Sequence, residues 1–351
     1  MQLHRLEDTL SPSSTFPALI EHEIKKRVWS FLVVQDSYLI SFKSTYSISL
    51  FHAKSPPPAN CSEIPDESFE GNGGFQAHSL STPTPTSYML LQLKLTSIKR
   101  ALFDATCPRY GRVLSLDEHY QSVQEADEQM NTLRRELPDW IKSSNGPDQF
   151  SSKMARDQWR AFRILYAHMK LSLHRTFFCL SFTKKEYCYS RIACMEAAHM
   201  ILQTYIDTAS GNNVVDIWTI PANVISSCIT LTLNMLLTEA EDGLDMHHSR
   251  SMSEDRLSIS RGLELLSTSA PSNQLVKRGV ILVKRLLDPD CRRNMSLSHT
   301  SFRTDEVVRL VGEVERLMQS EYDDGLMAVL NLTFDELLEL FVNQSPFPLG
   351  A

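Results

Sequence analysis

The sequence has no excess of basic residues. Its 351 residues include 35 Lys and Arg against 42 Asp and Glu, which gives a formal net charge of −7 at pH 7. A domain that grips duplex DNA through its phosphates usually has a basic surface, because each contact displaces a counterion. The basic clusters are short, and we interpret them as solvated helix faces: 25–27, 134–135, 184–185 and 292–293. The composition therefore argues against DNA binding by this chain as a whole.

Cysteine is sparse and scattered along the chain. The seven cysteines are Cys61, Cys107, Cys179, Cys188, Cys194, Cys228 and Cys291. No Cys-x2-Cys pair occurs, and the closest two cysteines lie six residues apart. Structural zinc sites built from local sequence need thiolates at closer spacing. An odd number of dispersed cysteines without a secretory signal predicts reduced thiols.

Long hydrophobic runs are missing as well. Residues 1–8 carry several charges and have no uncharged apolar core, so they do not form a signal peptide. The longest apolar run, 224–237, falls short of the roughly 20 apolar residues that cross a bilayer. It is interrupted by Ser226, Ser227, Thr230, Thr232 and Asn234. We therefore expect a soluble, intracellular protein that contacts no membrane.

Motifs of catalysis and of metal or cofactor binding are also missing. No Gly-x-Ser-x-Gly occurs, and Glu196 with His199 forms a single Glu-x-x-His, where a di-iron bundle needs two. The glycines of 71–74 follow no predicted strand, so they do not form a phosphate-binding loop. The acidic pair at 323–324 lacks the further Asp with which a helical prenyl-diphosphate enzyme binds magnesium. The histidine pair at 247–248 has no cysteine at the spacing of a metal site. We predict no catalytic residue, no metal site and no cofactor, and a helical enzyme is the least favoured alternative.

Helical periodicity dominates what is present, and we predict an all-α, irregular multi-helix domain. Residues 20–42 predict an amphipathic helix with one apolar face: Ile24, Val28, Phe31, Leu32 and Gln35. We expect this helix to be a structural spine, with Trp29 as its largest buried apolar side chain. Further helices are predicted over 88–105, 115–140 and 152–179, from about 190, and near 221–239, 253–267, 272–287, 304–320 and 333–342.

One long segment does not fit a helix. Residues 44–86 contain six prolines and three glycines. Proline removes a backbone donor and clashes with the preceding turn, so this composition excludes a continuous helix. The segment therefore predicts a long irregular connector inside the domain.

The C-terminal segment carries the candidate partner-binding residues. Four apolar side chains recur there at i, i+3, i+4 and i+7: Phe334, Leu337, Leu338 and Phe341. Acidic residues occupy the other face, and an acidic amphipathic helix can dock into the groove of a partner protein. The alternative, which we favour, is a terminal helix packed on its own core.

Several short motifs follow one another in a characteristic order. The chain opens with Leu-His-Arg-Leu at 3–6, and the first helix contains Lys25-Lys26-Arg27, Trp29 and Asp36. Pro-Ala-Asn-Cys follows at 58–61. The remaining motifs are Leu-Pro-Asp-Trp at 137–140, Leu-His-Arg-Thr-Phe at 173–177 and Ser-Arg-Ile-Ala-Cys-Met-Glu-Ala-Ala at 190–198. In combination they resemble the regulatory domain of fungal-specific transcription factors, the middle homology region of binuclear zinc-cluster regulators.

This resemblance extends from residue 3 to about residue 289 and implies an all-helical regulatory domain. Relatives of this kind bind DNA through a six-cysteine zinc cluster that precedes the domain, and the sequence shows no such cluster. We therefore expect an N-terminally truncated regulatory domain over 1–320, with the irregular connector at 44–86. An acidic amphipathic helix and tail would follow over 321–351.

The resemblance implies a nuclear, non-enzymatic role in transcription by RNA polymerase II. The chain would be the effector-responsive, partner-binding domain of a transcription factor. Its partners would be proteins of the transcription machinery or a second copy in a homodimer. Zinc is expected only in full-length relatives, and DNA would be reached only through the missing cluster. The alternative is a stand-alone helical protein that dimerises with, or competes against, intact relatives.

Overall fold

In the computed structural model, the described residues are 3–6, 16–38, 40, 45–50, 53–61, 77–107, 114–143, 150, 152–182, 184–209, 219–241 and 246–288. These ranges contain nine α-helices and no strand. The predicted all-α, irregular multi-helix class is therefore confirmed. The helices predicted over 304–320 and 333–342, and the boundary proposed near residue 320, lie outside the described residues.

The chain divides into two compact units, Met1–Phe162 and Arg163–Ala351. The first unit begins with a short 3₁₀ helix, Leu3–Arg5. It continues with α1 (Phe16–Tyr38), α2 (Ser87–Thr106), α3 (Leu116–Glu136), the short α4 (Asp139–Lys142) and the start of α5 (Lys153–Leu180). The second unit contains the rest of α5, a 3₁₀ helix (Lys185–Tyr187), α6 (Cys188–Ala209), α7 (Thr219–Glu241), α8 (Met246–Ser269) and α9 (Gln274–Leu287).

In the first unit, α2 packs against both α1 and α3. A capping box opens α3: the Glu118 backbone N–H donates to Ser115 Oγ at 3.2 Å, and the Ser115 N–H donates to Glu118 Oε2 at 2.8 Å. The single helix predicted over 115–140 is wrong. Helix α3 ends at Glu136, because the residue before Pro138 is driven into extended backbone, and α4 starts after the proline.

The connector between α1 and α2 is irregular where it is described. Residues 45–49, 53–61 and 77–86 contain no α-helix, as their proline content predicts. Its backbone groups are instead paired with side chains of the flanking helices, as described for the candidate site below. The connector is thus packed structure at these residues, and it joins the first two helices into one cluster.

In the second unit, α7 lies at the centre and packs against α6, α8 and α9. Among the described residues, one helical stretch, Thr219–Thr238, is long and apolar enough to cross a membrane, and 83% of it is buried inside the fold. Its polar side chains tolerate burial because the Ser227, Thr230 and Thr232 hydroxyls donate to carbonyls four residues earlier, at 2.8–2.9 Å. The stretch is therefore the core helix of this unit.

Two glycines permit close helix packing in the second unit, and they make a testable pair. A Cβ atom at Gly279 would lie 2.5–2.9 Å from three side-chain carbons of Ile225, a branched residue buried in α7. A Cβ atom at Gly262 would crowd only the terminal methyl of Leu202.

We expect Gly279→Ala to destabilise the protein by about 1–3 kcal/mol through overpacking. Gly262→Ala is the matched control and should be close to neutral, because one flexible methyl can move and alanine favours the helix. Urea denaturation of both variants measures the difference, and equal midpoints would contradict the packing argument.

Candidate functional site

Helix α1 exposes the apolar face that its sequence periodicity indicates. Ile24 is 42% exposed, Val28 39%, Phe31 52% and Leu32 40%, and Gln35 is partly buried. We call the four apolar side chains the α1 apolar face. Four large apolar side chains on one helix face form a contiguous patch of the kind that marks interaction surfaces. The apolar stripe that marks α1 as amphipathic is therefore not the buried face of the helix.

The opposite face of α1 is buried, and much of it is polar. Val33 and Val34 are each 3% exposed, yet Glu23, Asp36 and Ser37 are also below one-tenth exposed. Charged side chains tolerate burial only when they are paired and hydrogen-bonded. The partners of these residues come from the connector and from α2, so the polar contacts decide which side of α1 faces inward.

A buried ion pair joins the C-terminal part of α1 to α2. Arg100 Nη2 lies 2.9 Å from Asp36 Oδ2, and both side chains are almost fully buried. The two carboxylate oxygens of Asp36 also accept the backbone N–H groups of Ser47 and Ile48, at 2.8 and 2.9 Å. Arg100 donates further to Ser37 Oγ at 2.6 Å and to the Ile48 carbonyl at 2.6 Å. We call this set the Asp36–Arg100 latch, because it ties residues 47–48 to two helices.

An aromatic ring covers the latch. The Arg100 guanidinium lies 4.5 Å from the centre of the Tyr46 ring, a cation–π arrangement. The Tyr46 hydroxyl donates to Asp104 Oδ1, one turn further along α2, at 2.8 Å. The ring thus shields the ion pair from water, and this strengthens the electrostatic attraction inside.

The N-terminal half of α1 holds the Pro-Ala-Asn-Cys motif of the connector. Glu23 Oε1 accepts the Ala59 backbone N–H at 2.8 Å, and Glu23 also pairs with Lys26 at 3.1 Å. Arg27 Nη2 contacts Cys61 Sγ at 2.9 Å and its Nε lies 3.6 Å from Glu23. Lys26 and Arg27 of the helix motif therefore make their contacts within the unit.

Asn60, the third residue of that motif, is the centre of a buried hydrogen-bond network. Its Nδ2 donates to the Ser79 and Thr82 carbonyls at 2.8 and 3.1 Å. Its Oδ1 accepts the Thr84 and Ser87 hydroxyls at 2.6 and 2.8 Å. These four bonds use the full capacity of an amide side chain. Asn60 thus fixes the end of the connector at the start of α2.

The Leu-His-Arg-Leu motif joins the same cluster. The Lys54 backbone N–H donates to the His4 carbonyl at 2.8 Å, and the Leu6 N–H donates to Ser55 Oγ at 3.1 Å. The His4 ring lies 6.3 Å from the Trp29 ring. Trp29 is partly buried, so it is not the fully buried anchor that we expect from the sequence. The three N-terminal motifs therefore assemble around α1.

In the second unit, two further motifs contact each other. His174 Nδ1 and Ser190 Oγ are 3.0 Å apart, and both residues are fully buried. Cys194 Sγ lies 3.7 Å from the Leu171 carbonyl. Burial raises the pKa of the Cys194 thiol well above its usual range. Burial also lowers the pKa of Arg175 to about 10, with nearby Cys194 opposing that shift. A protonated, buried thiol packs between helices and is unreactive.

The other sequence candidates for chemistry do not form a shared site within the described part of the chain. His199 Nε2, from the Glu-x-x-His pattern, pairs with Asp255 Oδ1 at 2.7 Å. No group of three or more His, Cys, Asp or Glu side chains suited to a metal ion occurs among the described residues. The four predicted partner-binding residues Phe334, Leu337, Leu338 and Phe341 lie outside the described residues. That prediction stays untested.

Sequence reasoning missed Arg100, the residue on which the latch depends. It lies within an apolar helix and belongs to no motif. The only signal was indirect: the first helix motif ends in Asp36, an acid that needs a cationic partner if it is buried. The structure supplies that partner from a residue 64 positions away.

Comparison with known proteins places these motifs in context. The agnestins biosynthesis cluster transcription factor AgnL11 of Paecilomyces divaricatus is 22% identical over 276 residues, which cover 76% of this chain and 38% of that protein. The probable transcription factor lepB of Aspergillus flavus is 25% identical over 229 residues, covering 58% of this chain and 38% of lepB. The pyrrolocin cluster transcription factor fsdR of a fungal species is 35% identical over 127 residues, covering 34% of this chain and 15% of fsdR.

The chain thus spans about two fifths of the length of the first two relatives. No protein-family model and no solved structure matches it. The matching proteins are all named as fungal transcription factors, in agreement with the motifs that assemble around α1 and between α5 and α6. The resemblance is therefore confirmed: this chain is similar in sequence to proteins that are named as fungal cluster transcription factors.

Proposed function

We propose that this chain is a regulatory, partner-binding region of a fungal transcription factor, and that it acts in the nucleus through protein contacts. The observation that carries the proposal is the α1 apolar face. The relatives that this chain matches are named as transcription factors, which supports a role in transcription. Its net charge of −7 supports contact with proteins rather than with the DNA backbone.

The α1 apolar face has the spacing of a helix that binds in a groove or against another helix. Ile24, Val28, Phe31 and Leu32 lie at i, i+4, i+7 and i+8 and are 39–52% exposed. Helix-in-groove recognition reads anchors at these intervals. The apolar residues are thus displayed on one side of α1, while Glu23 and Asp36 are buried and paired inside the unit.

The helix is also held rigidly, which favours binding. The Pro-Ala-Asn-Cys loop anchors its N-terminal half through Glu23, and the Asp36–Arg100 latch anchors its C-terminal half. A surface that is already ordered loses less conformational entropy when a partner binds. The motif residues therefore support the proposed function indirectly, because they position the surface rather than contact the partner.

The experiment fuses the whole chain to a heterologous, dimeric DNA-binding domain in a fungal cell with a reporter gene. We expect reporter expression to change, up or down, relative to the DNA-binding domain alone. The control carries Arg100→Ala in the same fusion, which disrupts the unit that presents α1, and it should lose the effect. Promoter occupancy and protein level are measured for all three. A fusion that occupies the promoter intact, yet leaves expression unchanged, would contradict the proposed function.

A further inference from the structure

We propose that an acidic cluster near the C-terminus of this chain docks on the outward face of α9, as an intramolecular contact of the second unit. The acidic cluster is Glu321, Asp323 and Asp324, with Tyr322 among them. The inference depends neither on the α1 apolar face nor on the proposed function. It rests on the charges of α9 and on those of the sequence that follows it.

Helix α9 has a basic outward face. It carries four basic residues and no acidic residue. Two of the four precede Ile281 by three and four positions and two follow it by three and four, so all of them share its side of the helix. Val283 and Leu286, on the opposite side, are buried in the core of the unit. The α9 basic face consists of these four residues: Lys277, Arg278, Lys284 and Arg285.

Lys284 and Arg285 form the part of this face that is open to a partner. Both residues are exposed, and neither side chain forms an ion pair within the described part of the chain. Arg135 of α3 is also exposed, but it already pairs with Glu128 at 2.9 Å. Basic side chains close together repel one another, and carboxylates placed between them relieve that repulsion. The α9 basic face therefore favours an acidic occupant.

The sequence beyond Arg316 has the charge that this face requires. Residues 317–351 contain six acidic residues and no Lys, Arg or His. Three of the six fall within 321–324, where Tyr322 adds a ring that attracts cations. The other three are spread over five positions with no aromatic residue among them: Asp335, Glu336 and Glu339. Charge complementarity thus favours the acidic cluster as the occupant.

The acidic cluster and α9 belong to one chain, and this strengthens a contact between them. Only residues 289–320 separate the end of the described α9 region from Glu321. Groups joined in one chain meet at an effective concentration that reaches about the millimolar range. Exposed ion pairs are weak one at a time, so several of them must act together within the chain. The contact should therefore form at low salt and be lost at high salt.

The groove between α8 and α9 is a less suitable place for the acidic cluster. Lys284 lines this groove, but so do the carboxylates of Glu264 and Asp288. Carboxylates already present repel further acidic side chains. On the outward side, around Ile281, the four basic residues flank the site and α9 contributes no acid. The charges therefore place the cluster on the outward face and not between the two helices.

Zero-length crosslinking of the whole chain tests the contact. A carbodiimide activates a carboxyl group, and a lysine amine in contact with it then displaces the activating group to form an amide. At low salt, Lys277 or Lys284 should link to the acidic cluster within one chain. In 1 M salt, where the Debye length is about 3 Å, the yield should fall at least about fivefold. Mass spectrometry of the monomeric fraction identifies the links. No such link at low salt, links only between chains, or a yield that salt does not change would overturn the proposal.

Arg285→Gln tests the basic side of the contact and leaves both crosslinking lysines in place. Loss of one cation should lower the yield of links to the acidic cluster at least about twofold. The matched control is Arg261→Gln, since Arg261 is an exposed arginine of α8 and its loss changes the net charge equally. This control should leave the yield unchanged, and circular dichroism verifies that both variants fold. Equal yields from the two variants would contradict a contact with the α9 basic face.

Two sets of substitutions test the acidic side of the contact. Trypsin releases residues 317–351 by cleavage after Arg316, the last basic residue of the chain. Docking five residues further on should slow this cleavage at low salt, because proteolysis follows the population of the open form. The triple variant Glu321→Gln, Asp323→Asn, Asp324→Asn should therefore release the fragment at least about threefold faster.

The matched control neutralises the other three acids and should leave the rate of release unchanged: Asp335→Asn, Glu336→Gln, Glu339→Gln. Both sets remove three charges from the same fragment, so a general effect of charge on the protease would appear in both. Faster release from the control alone, or equal rates from the two triple variants, would exclude the acidic cluster as the occupant of the α9 basic face.

Discussion

Replacing Arg100 with alanine is expected to destabilise the first unit by about 3–5 kcal/mol. The guanidinium is one of the most interior cations of this unit, with a side chain 5% exposed against 7% for Asp36. Its removal leaves Asp36 as a buried, uncompensated charge and frees residues 47–48 from α2. A loss of this size is a large share of the roughly 5–15 kcal/mol that stabilises a typical domain. Urea or thermal unfolding of the whole chain measures the change.

A surface ion pair of the same length provides the matched control. Arg135 Nη2 lies 2.9 Å from Glu128 Oε1, the same separation as in the latch, but those side chains are 64% and 66% exposed. Exposed pairs contribute about 0–1 kcal/mol, because water already solvates both charges. Arg135→Ala should therefore leave the midpoint almost unchanged. Similar effects at Arg100 and Arg135 would show that burial does not decide the strength of the latch.

A double variant measures how much of the loss comes from the direct interaction between Asp36 and Arg100, and how much from leaving one charge buried alone. Adding Asp36→Ala to Arg100→Ala removes the stranded carboxylate, so the double variant should lose less than the two single losses combined. It will still be less stable than the native protein, because the backbone N–H groups of Ser47 and Ile48 lose their acceptor. Strict additivity would contradict direct coupling between the two side chains.

Asn60→Ala is expected to be nearly as damaging, at about 3–4 kcal/mol. The replacement leaves the Ser79 and Thr82 carbonyls and the Thr84 and Ser87 hydroxyls without their shared partner. A buried polar group that loses its partner costs about 1–3 kcal/mol, and some of these four will find water or rotate to a new acceptor. Unfolding in urea gives the loss, and limited proteolysis should show easier cleavage near the connector.

Asn131→Ala is the corresponding control. Asn131 lies on α3 and its Nδ2 contacts Asp127 Oδ2 at 3.2 Å, in a partly buried position. Alanine also favours the helix, so the net change should stay below about 1 kcal/mol. If Asn60→Ala were as mild as this control, the network around Asn60 would not be what holds the connector.

Much of the helical architecture was predictable, because it depends on local chemistry. The capping box at Ser115 and Glu118 marks the start of α3. The predictions of 221–239, 253–267 and 272–287 correspond to α7, α8 and α9; the boundaries of α7 and α9 shift by at most two residues, and α8 starts seven residues earlier than predicted. These signals work because each depends on residues within one or two turns.

The inward face of α1 was not predictable in the same way. Periodicity shows that Ile24, Val28 and Leu32 share a face, but it does not show whether that face packs. The structure buries Asp36 instead, because Arg100 and two backbone N–H groups satisfy its charge. Those partners come from elsewhere in the chain, so no local pattern announces them.

The sequence by itself determined the all-α class, the positions of most described helices, the irregular connector and the resemblance to fungal transcription factors. Only the tertiary structure decided that the motifs around α1 meet, that Arg100 completes them, and that the apolar side of the helix is left exposed. The physical reason is that helix formation depends on near neighbours, whereas the burial of a charge depends on partners that the fold brings from a distance.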